Sequence, residues 1–232
     1  MSKRIKAVIF DFDGTLVDSE KNYYISDRNF LKEFGIEFTL EMQKEVSGMG
    51  NLNFIRKLKR EYGIEGDERE LLERKNAHYL AVAKNNTQVF PEMKKFLVLL
   101  KENGYKLGLA SGSSPHILDI LLKKTDLIGF FDVVLSSESE NIKNGKPHPD
   151  VYLEAAKMLK FSPSECTAVE DSKYGVEAAK NANMSCIAVP YVVDKPLHPS
   201  FYKADLLFEN GIKEFKSEVA FNYVREGFEN KN

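Results

Sequence analysis

Apolar positions first gather into one short run, Ile5-Lys6-Ala7-Val8-Ile9-Phe10, which reads as a buried strand closed by a tight turn at Asp13-Gly14. Beyond it the period changes. Over residues 20–34, 40–46, 51–62 and 67–83, apolar side chains recur every three or four positions, with Gly35, Gly48 and Gly63 near the ends. No strand-like alternation interrupts that stretch, which predicts a small bundle of helices. From Pro91 the two periods alternate. Helices are expected over 91–103, 115–124, 149–159 and 174–181, strands over 106–110, 131–135, 167–169, 185–189 and 206–208, and a last amphipathic helix over 212–228. Strands alternating with helices of this length predict an α/β fold, a doubly wound parallel sheet of Rossmann-like type with right-handed crossovers. The helical bundle is inserted after its first strand, so residues 1–18 and 88–232 form the α/β core domain and 19–87 a separate all-α domain. Sheets of this kind bind ligands at the carboxyl ends of their strands.

Composition narrows the class without choosing the chemistry. The 232 residues are 43% hydrophobic and 29% charged, ordinary for a chain that buries a core. A formal charge of −2 gives no basic field for sequence-independent nucleic-acid binding. No segment approaches the roughly 18 continuous apolar residues of a membrane span, and the N-terminal apolar run is too short and too soon broken for a secretory signal. Cys166, at the edge of one expected strand, and Cys186, inside another, read as buried thiols. The expectation from these features is a cytoplasmic chain that binds neither nucleic acid nor membrane.

The candidate chemistry lies at the strand ends. Asp11 and Asp13, two residues apart where the first strand stops, share a face there unless the turn re-aims Asp13. Two carboxylates converging beside an apolar strand repel each other and lose water, which is costly unless a cation or proton compensates. The second strand ends at Ser111 and Gly112, the loop after the third carries Lys146, and the fourth ends in Glu170-Asp171-Ser172. Acids, one lysine, a hydroxyl and a backbone N–H suit a divalent cation and a phosphoryl group. Magnesium takes oxygen ligands and keeps several waters, while hydroxyl, amide and ammonium neutralise the remaining phosphate oxygens.

The order and content of these segments resemble the four motifs of the haloacid dehalogenase superfamily: Asp-Phe-Asp-Gly-Thr-Leu-Val-Asp at 11–18, Ser111, Gly-Lys-Pro-His-Pro-Asp at 145–150 and Glu-Asp-Ser at 170–172. The inserted helices resemble the cap of its phosphatase and β-phosphoglucomutase branch. The resemblance implies Mg2+-dependent hydrolysis of a small, sugar-phosphate-like monoester through an aspartyl-phosphate. It makes Asp11 the nucleophile and Asp13 the general acid and then base. Ser111, Gly112 and Lys146 would bind the phosphoryl group. Metal ligands would be Asp11, the Asp13 carbonyl and Asp171, with Glu170 secondary. A capped site of this kind needs no second subunit, so a monomer is expected.

The cap decides the fate of the phosphoenzyme. Mutases of the β-phosphoglucose type carry a His about ten residues past the second Asp, where this chain has Tyr23, a far weaker acid/base partner at neutral pH. They also carry an Arg for the distal phosphate near the place where Asn51 stands; Arg56 is a turn further on. Both departures favour a phosphatase, with the phosphosugar mutase as the alternative and a non-catalytic phosphate-binding protein as a third reading. One feature points back to the mutase: Arg74-Lys75-Asn76 with Tyr79 resembles the cap segment whose lysine helps bind sugar phosphate there. A lysine so placed serves either enzyme, so Tyr23, Asn51 and Lys75 are candidate substrate contacts. Gly48-Met49-Gly50 is either a bend between helices or a loop over the site. His78, His116, His148 and His198 show no metal-ligand spacing.

Overall fold

The computed structural model describes residues 4–227. Its central strand, β1 (Ala7–Phe10), has no exposed side chain. Val8 and Phe10 pack into one apolar cluster and Ala7 and Ile9 into another on the opposite face, which is why the strand reads as a continuous apolar run. The chain then passes through β2 (Val17–Asp18), α1 (Glu20–Lys32), α2 (Leu40–Val46), α3 (Asn51–Tyr62) and α4 (Glu68–Asn86) before β3 (Gln88–Val89). There follow α5 (Pro91–Glu102), β4 (Lys106–Ser111), α6 (Pro115–Lys124), β5 (Val133–Ser136), α7 (Asp150–Leu159), β6 (Cys166–Glu170), α8 (Lys173–Asn181), β7 (Ser185–Ala188), β8 (Leu206–Leu207) and α9 (Ser217–Glu226).

Six strands form one sheet in the order β5-β4-β1-β6-β7-β8, every neighbouring pair parallel. Ala7 faces Lys106 on one side and Cys166 on the other. The chain therefore winds outward from β1 in both directions, and the crevice of such a sheet opens at the end of β1. Helices α5, α6 and α9 supply one apolar layer, including Phe96, Leu121 and Val224, while α7 and α8 supply the other, including Tyr152, Ala156 and Val176.

The inserted helices have an apolar centre of their own, built from Phe30, Leu31, Phe54, Ile55, Leu58 and Leu71. Helix α4 bridges the two parts. Its Leu71 belongs to that centre, whereas Tyr79 and Ala83 pack with the sheet. Where the chain leaves and re-enters the sheet region, β2 and β3 pair antiparallel, Val17 opposite Val89 and Asp18 opposite Gln88. Two residues per strand are too few for periodicity to reveal.

The expected elements are present with shifted ends. The last helix differs most: the expected span 212–228 divides into a single 3-10 turn, Gly211–Lys213, and α9. Helix α9 begins where the Glu92 carboxylate of α5 accepts hydrogen bonds from the Ser217 amide (3.1 Å) and hydroxyl (3.0 Å), a cap made by another helix. The expected end at Phe228 lies outside the described residues. Cys166 and Cys186 are free and buried. Among the described residues no helix is long and apolar enough to cross a membrane.

Candidate active site

The ladder between β1 and β6 runs one residue past Phe10, because the Asp11 amide donates to the Val169 carbonyl at 3.0 Å. That bond sets Asp11 beside the end of β6, where Glu170 and Asp171 follow. Lys146 reaches between them. Its ammonium donates to Asp11 Oδ1 at 2.6 Å, to Glu170 Oε1 at 2.5 Å and to the Ala110 carbonyl at 3.1 Å. The Tyr152 hydroxyl donates to the same Glu170 oxygen at 2.5 Å, and the Thr15 hydroxyl donates to Asp171 Oδ1 at 3.2 Å. Carboxylate oxygens of Asp11, Glu170 and Asp171, all buried, lie within 4.8 Å of one another.

Burial, only partly offset by Lys146, pushes the Asp11 carboxyl up to about 8. Burial and then the repulsion of Asp11 and Glu170 raise Asp171 well above the carboxylate range. Burial works against the Lys146 ammonium, but the two adjacent carboxylates more than offset it. A buried, mutually repelling set of oxygen donors fits a hard divalent cation.

This fit has a measurable consequence. A carboxyl with a raised folded-state pKa binds its proton more tightly in the fold than in the unfolded chain, so ionising it costs stability. For Asp11 the window runs from the ordinary 3.8 to about 8. The metal-free protein is expected to lose thermal stability as pH rises from about 5 to about 8, and magnesium to stabilise it more at the upper end. Melting curves at both pH values, with and without magnesium, check this; a stabilisation independent of pH would contradict it.

The end of β4 is arranged differently from its neighbours. Ser111 is fully buried, and its hydroxyl oxygen accepts from the Ser113 amide at 3.0 Å. Gly112 and Ser113 line a cavity of about 80 Å³ that also takes in Asp11, Asp13, Lys146 and Asp171. Ser114 caps α6, its hydroxyl accepting from Ile117 N at 3.4 Å.

A model of the haloacid dehalogenase-like hydrolases matches residues 8–189, most of the chain. The chain belongs to this family. Over 208 residues this hydrolase is 32% identical to hexitol phosphatase B of Escherichia coli (strain K12), an alignment covering 88% of this chain and 91% of that protein. It is 30% identical over 194 residues to β-phosphoglucomutase of Bacillus subtilis (strain 168), covering 80% and 83%. The crystal structure of β-phosphoglucomutase from Clostridium difficile superposes with a TM-score of 0.79 at 24% identity, over 96% of this chain and 98% of that one, a likeness of fold.

The inserted helices form the other wall of the cavity in this hydrolase, and Tyr23, Asn51 and Lys75 all line it. Tyr23 donates to Asp13 Oδ2 at 3.3 Å and shares a hydrogen bond of 2.9 Å with the Ser113 hydroxyl. Ser113 donates to the same Asp13 oxygen at 2.7 Å, and Tyr79 donates to Asp13 Oδ1 at 2.7 Å. Burial, then the nearby Asp13 charge, raises both phenols well above their ordinary range, so they stay protonated and act as donors. Gly48-Met49-Gly50 joins α2 to α3 and lines the same cavity. Asn51 and Asn76 donate to Glu138, in the loop after β5, at 3.4 and 3.3 Å, tying the helices to the core. The ion pair of Lys44 with Asp194 at 2.8 Å adds a second link, one exposed to solvent.

Sequence reasoning did not single out Ser113, Tyr152, Glu20 or Asp27 as part of this site, and it named Tyr79 only within the segment around Lys75. A signal existed for Asp27, which stands four residues after Tyr23 on α1 and so on the cavity-lining side of that helix. Glu20 lines the cavity with its carboxylate held by Gln43 and Ser47; burial, opposed by those hydrogen bonds, lifts it to about 7.

Proposed function

We propose that this hydrolase is a magnesium-dependent phosphatase acting on a small phosphate monoester of a sugar or related compound through an aspartyl-phosphate on Asp11. One observation carries the reading: Asp11, Lys146, Glu170 and Asp171 meet, buried, beneath a cavity at the carboxyl edge of the sheet. Asp11 Oδ attacks phosphorus, the bond to the ester oxygen breaks, and Asp13 gives its proton to the departing alkoxide. Asp13 then takes a proton from the water that attacks the aspartyl-phosphate, releasing phosphate and restoring Asp11. Ser111, the Gly112 amide and Lys146 bind the phosphoryl oxygens, and the Ser111 hydroxyl oxygen, accepting from the Ser113 amide, orders that loop. Asp11, the Asp13 carbonyl, Asp171 and, secondarily, Glu170 would hold the magnesium ion, whose charge would offset that of the transferring group.

Residues 19–87 are, on this reading, a cap that excludes bulk water. Tyr23, Tyr79 and Ser113 orient the Asp13 carboxyl. Tyr79→Phe is expected to lower kcat for an alkyl phosphate about tenfold or more, and to lower it less for p-nitrophenyl phosphate, whose leaving group needs no proton. Equal losses on the two esters would argue against an effect through Asp13.

Hydrolysis is favoured over the mutase by the cap. A mutase must hold a second phosphate, yet Arg56 pairs with Glu68 at 3.0 Å on the exposed side of α3. Tyr23 stands where the resembling mutases have an imidazole. Purified protein incubated with magnesium and a panel of phosphate monoesters tests the reading. Phosphate release that stops on chelation supports it; interconversion of glucose 1- and 6-phosphates without release would replace it with the mutase. The buried free thiols suit a cytoplasmic setting, and the cap closes the site within one chain, in keeping with a monomer.

A further inference from the structure

Among the described residues, Lys75 is the one cation that the inserted helices bring to the cavity wall, and it arrives already neutralised. Its ammonium lies 2.9 Å from Asp27 Oδ1 and donates to Asn51 Oδ1 at 2.9 Å. The rings of Tyr23 and Phe54 stand 5.1 and 5.2 Å from it. With Lys75 only 2% exposed, its charge is met on several sides by groups of this chain. The other cavity-lining lysine, Lys146, is held by Asp11 and Glu170 beside the phosphoryl position. Arg56 and Arg74 of the same helices pair with Glu68 and Glu33 at the protein surface.

Among the described residues lining the cavity, five carboxyl groups stand against these two ammonium groups. A carboxylate or second phosphate on the leaving group would enter beside Glu20 and Asp27 with no unengaged cation to meet it, and such like-charge juxtaposition is strongly unfavourable. Hydroxyl groups meet a better match. Carboxylates accept from them, the Asn51, Gln43 and Ser47 side chains exchange hydrogen bonds with them, and Phe54 and Met49 offer apolar surface to carbon-bound hydrogens.

We infer that the leaving group is an uncharged, hydroxyl-rich alcohol, so that the substrate is a polyol or neutral sugar monophosphate, and that Asp27 enforces this choice by neutralising Lys75. The inference rests on the phosphatase reading and narrows it. Asp27 is a specificity-determining residue that acts through Lys75, by denying a buried cation to anionic substrates.

A matched pair of esters tests it: sorbitol 6-phosphate and 6-phosphogluconate, which differ by a hydroxymethyl group in place of a carboxylate. The unmodified protein is expected to show kcat/KM higher for sorbitol 6-phosphate by roughly 10²-fold. Equal efficiency, or preference for the carboxylate, would overturn the inference and leave the phosphatase reading standing. Release from neither of these esters nor any other phosphate monoester would remove both. Asp27→Asn, verified as folded by circular dichroism, is expected to shrink the ratio about tenfold or more by unmasking Lys75. The double variant Asp27→Asn with Lys75→Met, which removes both buried charges, is expected to restore it. A ratio unchanged in the folded single variant would overturn the role of Asp27, and the comparison in the unmodified protein decides the substrate class whether or not that variant folds.

Discussion

Asp11→Asn is expected to give a folded protein whose phosphate release falls by at least about 10⁴-fold, to the background rate, since loss of a nucleophile removes the whole covalent route. Asparagine has nearly the shape of aspartate and keeps an oxygen toward the Lys146 ammonium, but its neutral amide does not displace an alkoxide from phosphorus. The fold is expected to tolerate the change. Lys146 retains Glu170 at 2.5 Å, so no buried cation is left alone. Asp11 is itself costly in the metal-free fold, since burial drives its carboxyl up to about 8. At pH 8 without magnesium the variant is therefore expected to melt no lower than the parent, while losing affinity for the metal. Phosphate release on the parent's best substrate, together with melting curves, checks both halves. Turnover at the parent's rate would show that the nucleophile is another residue.

Gly48→Ala is expected to lower kcat/KM by about 10²-fold, the order of loss that a misplacement of about 1 Å at a site produces. The loop between α2 and α3 lies against the end of β6: a Cβ on Gly48 would stand 2.2 Å from the Ser172 Cβ and 2.6 Å from its hydroxyl. Either the loop lifts, or Ser172 moves and takes the adjacent Asp171 with it. Ser172 also caps α8 by accepting from Gly175 N at 3.0 Å, so it is not free to swing aside. The backbone of Gly48 has φ +76°, and alanine there costs about 1 kcal/mol of strain in addition. Gly35→Ala separates the two effects. Gly35 has φ +71° but nothing within 4 Å of its would-be Cβ. It is expected to lose similar stability with activity intact, and equal activity losses in the two variants would show that strain alone is responsible.

Most of the core of this candidate site was legible in the sequence because its residues are tied to strand ends. Asp11, Ser111, Glu170 and Asp171 stand where an apolar run stops, and parallel topology gathers such ends whatever their separation along the chain. Lys146 was legible from its motif rather than from periodicity. The turn carrying Asp13 was visible, and of its three hydroxyl partners only Tyr23, ten positions further on, was picked out by the resemblance; Tyr79 and Ser113 come from α4 and the loop after β4, and no local pattern links them to Asp13. The start of α9 was hidden for the same kind of reason, since its cap is a glutamate 125 positions earlier in the chain.

By itself the sequence determined the α/β winding, the helical insert after β1 and the identity of the acids, lysine and hydroxyls at the strand ends, because periodicity and turn chemistry are local properties. The tertiary structure alone decided how those charges are matched: Lys146 between Asp11 and Glu170, Lys75 against Asp27, the Gly48 loop over Ser172. Charge matching and close approach depend on distances of a few ångströms between segments far apart in the chain, and no spacing along the sequence encodes them.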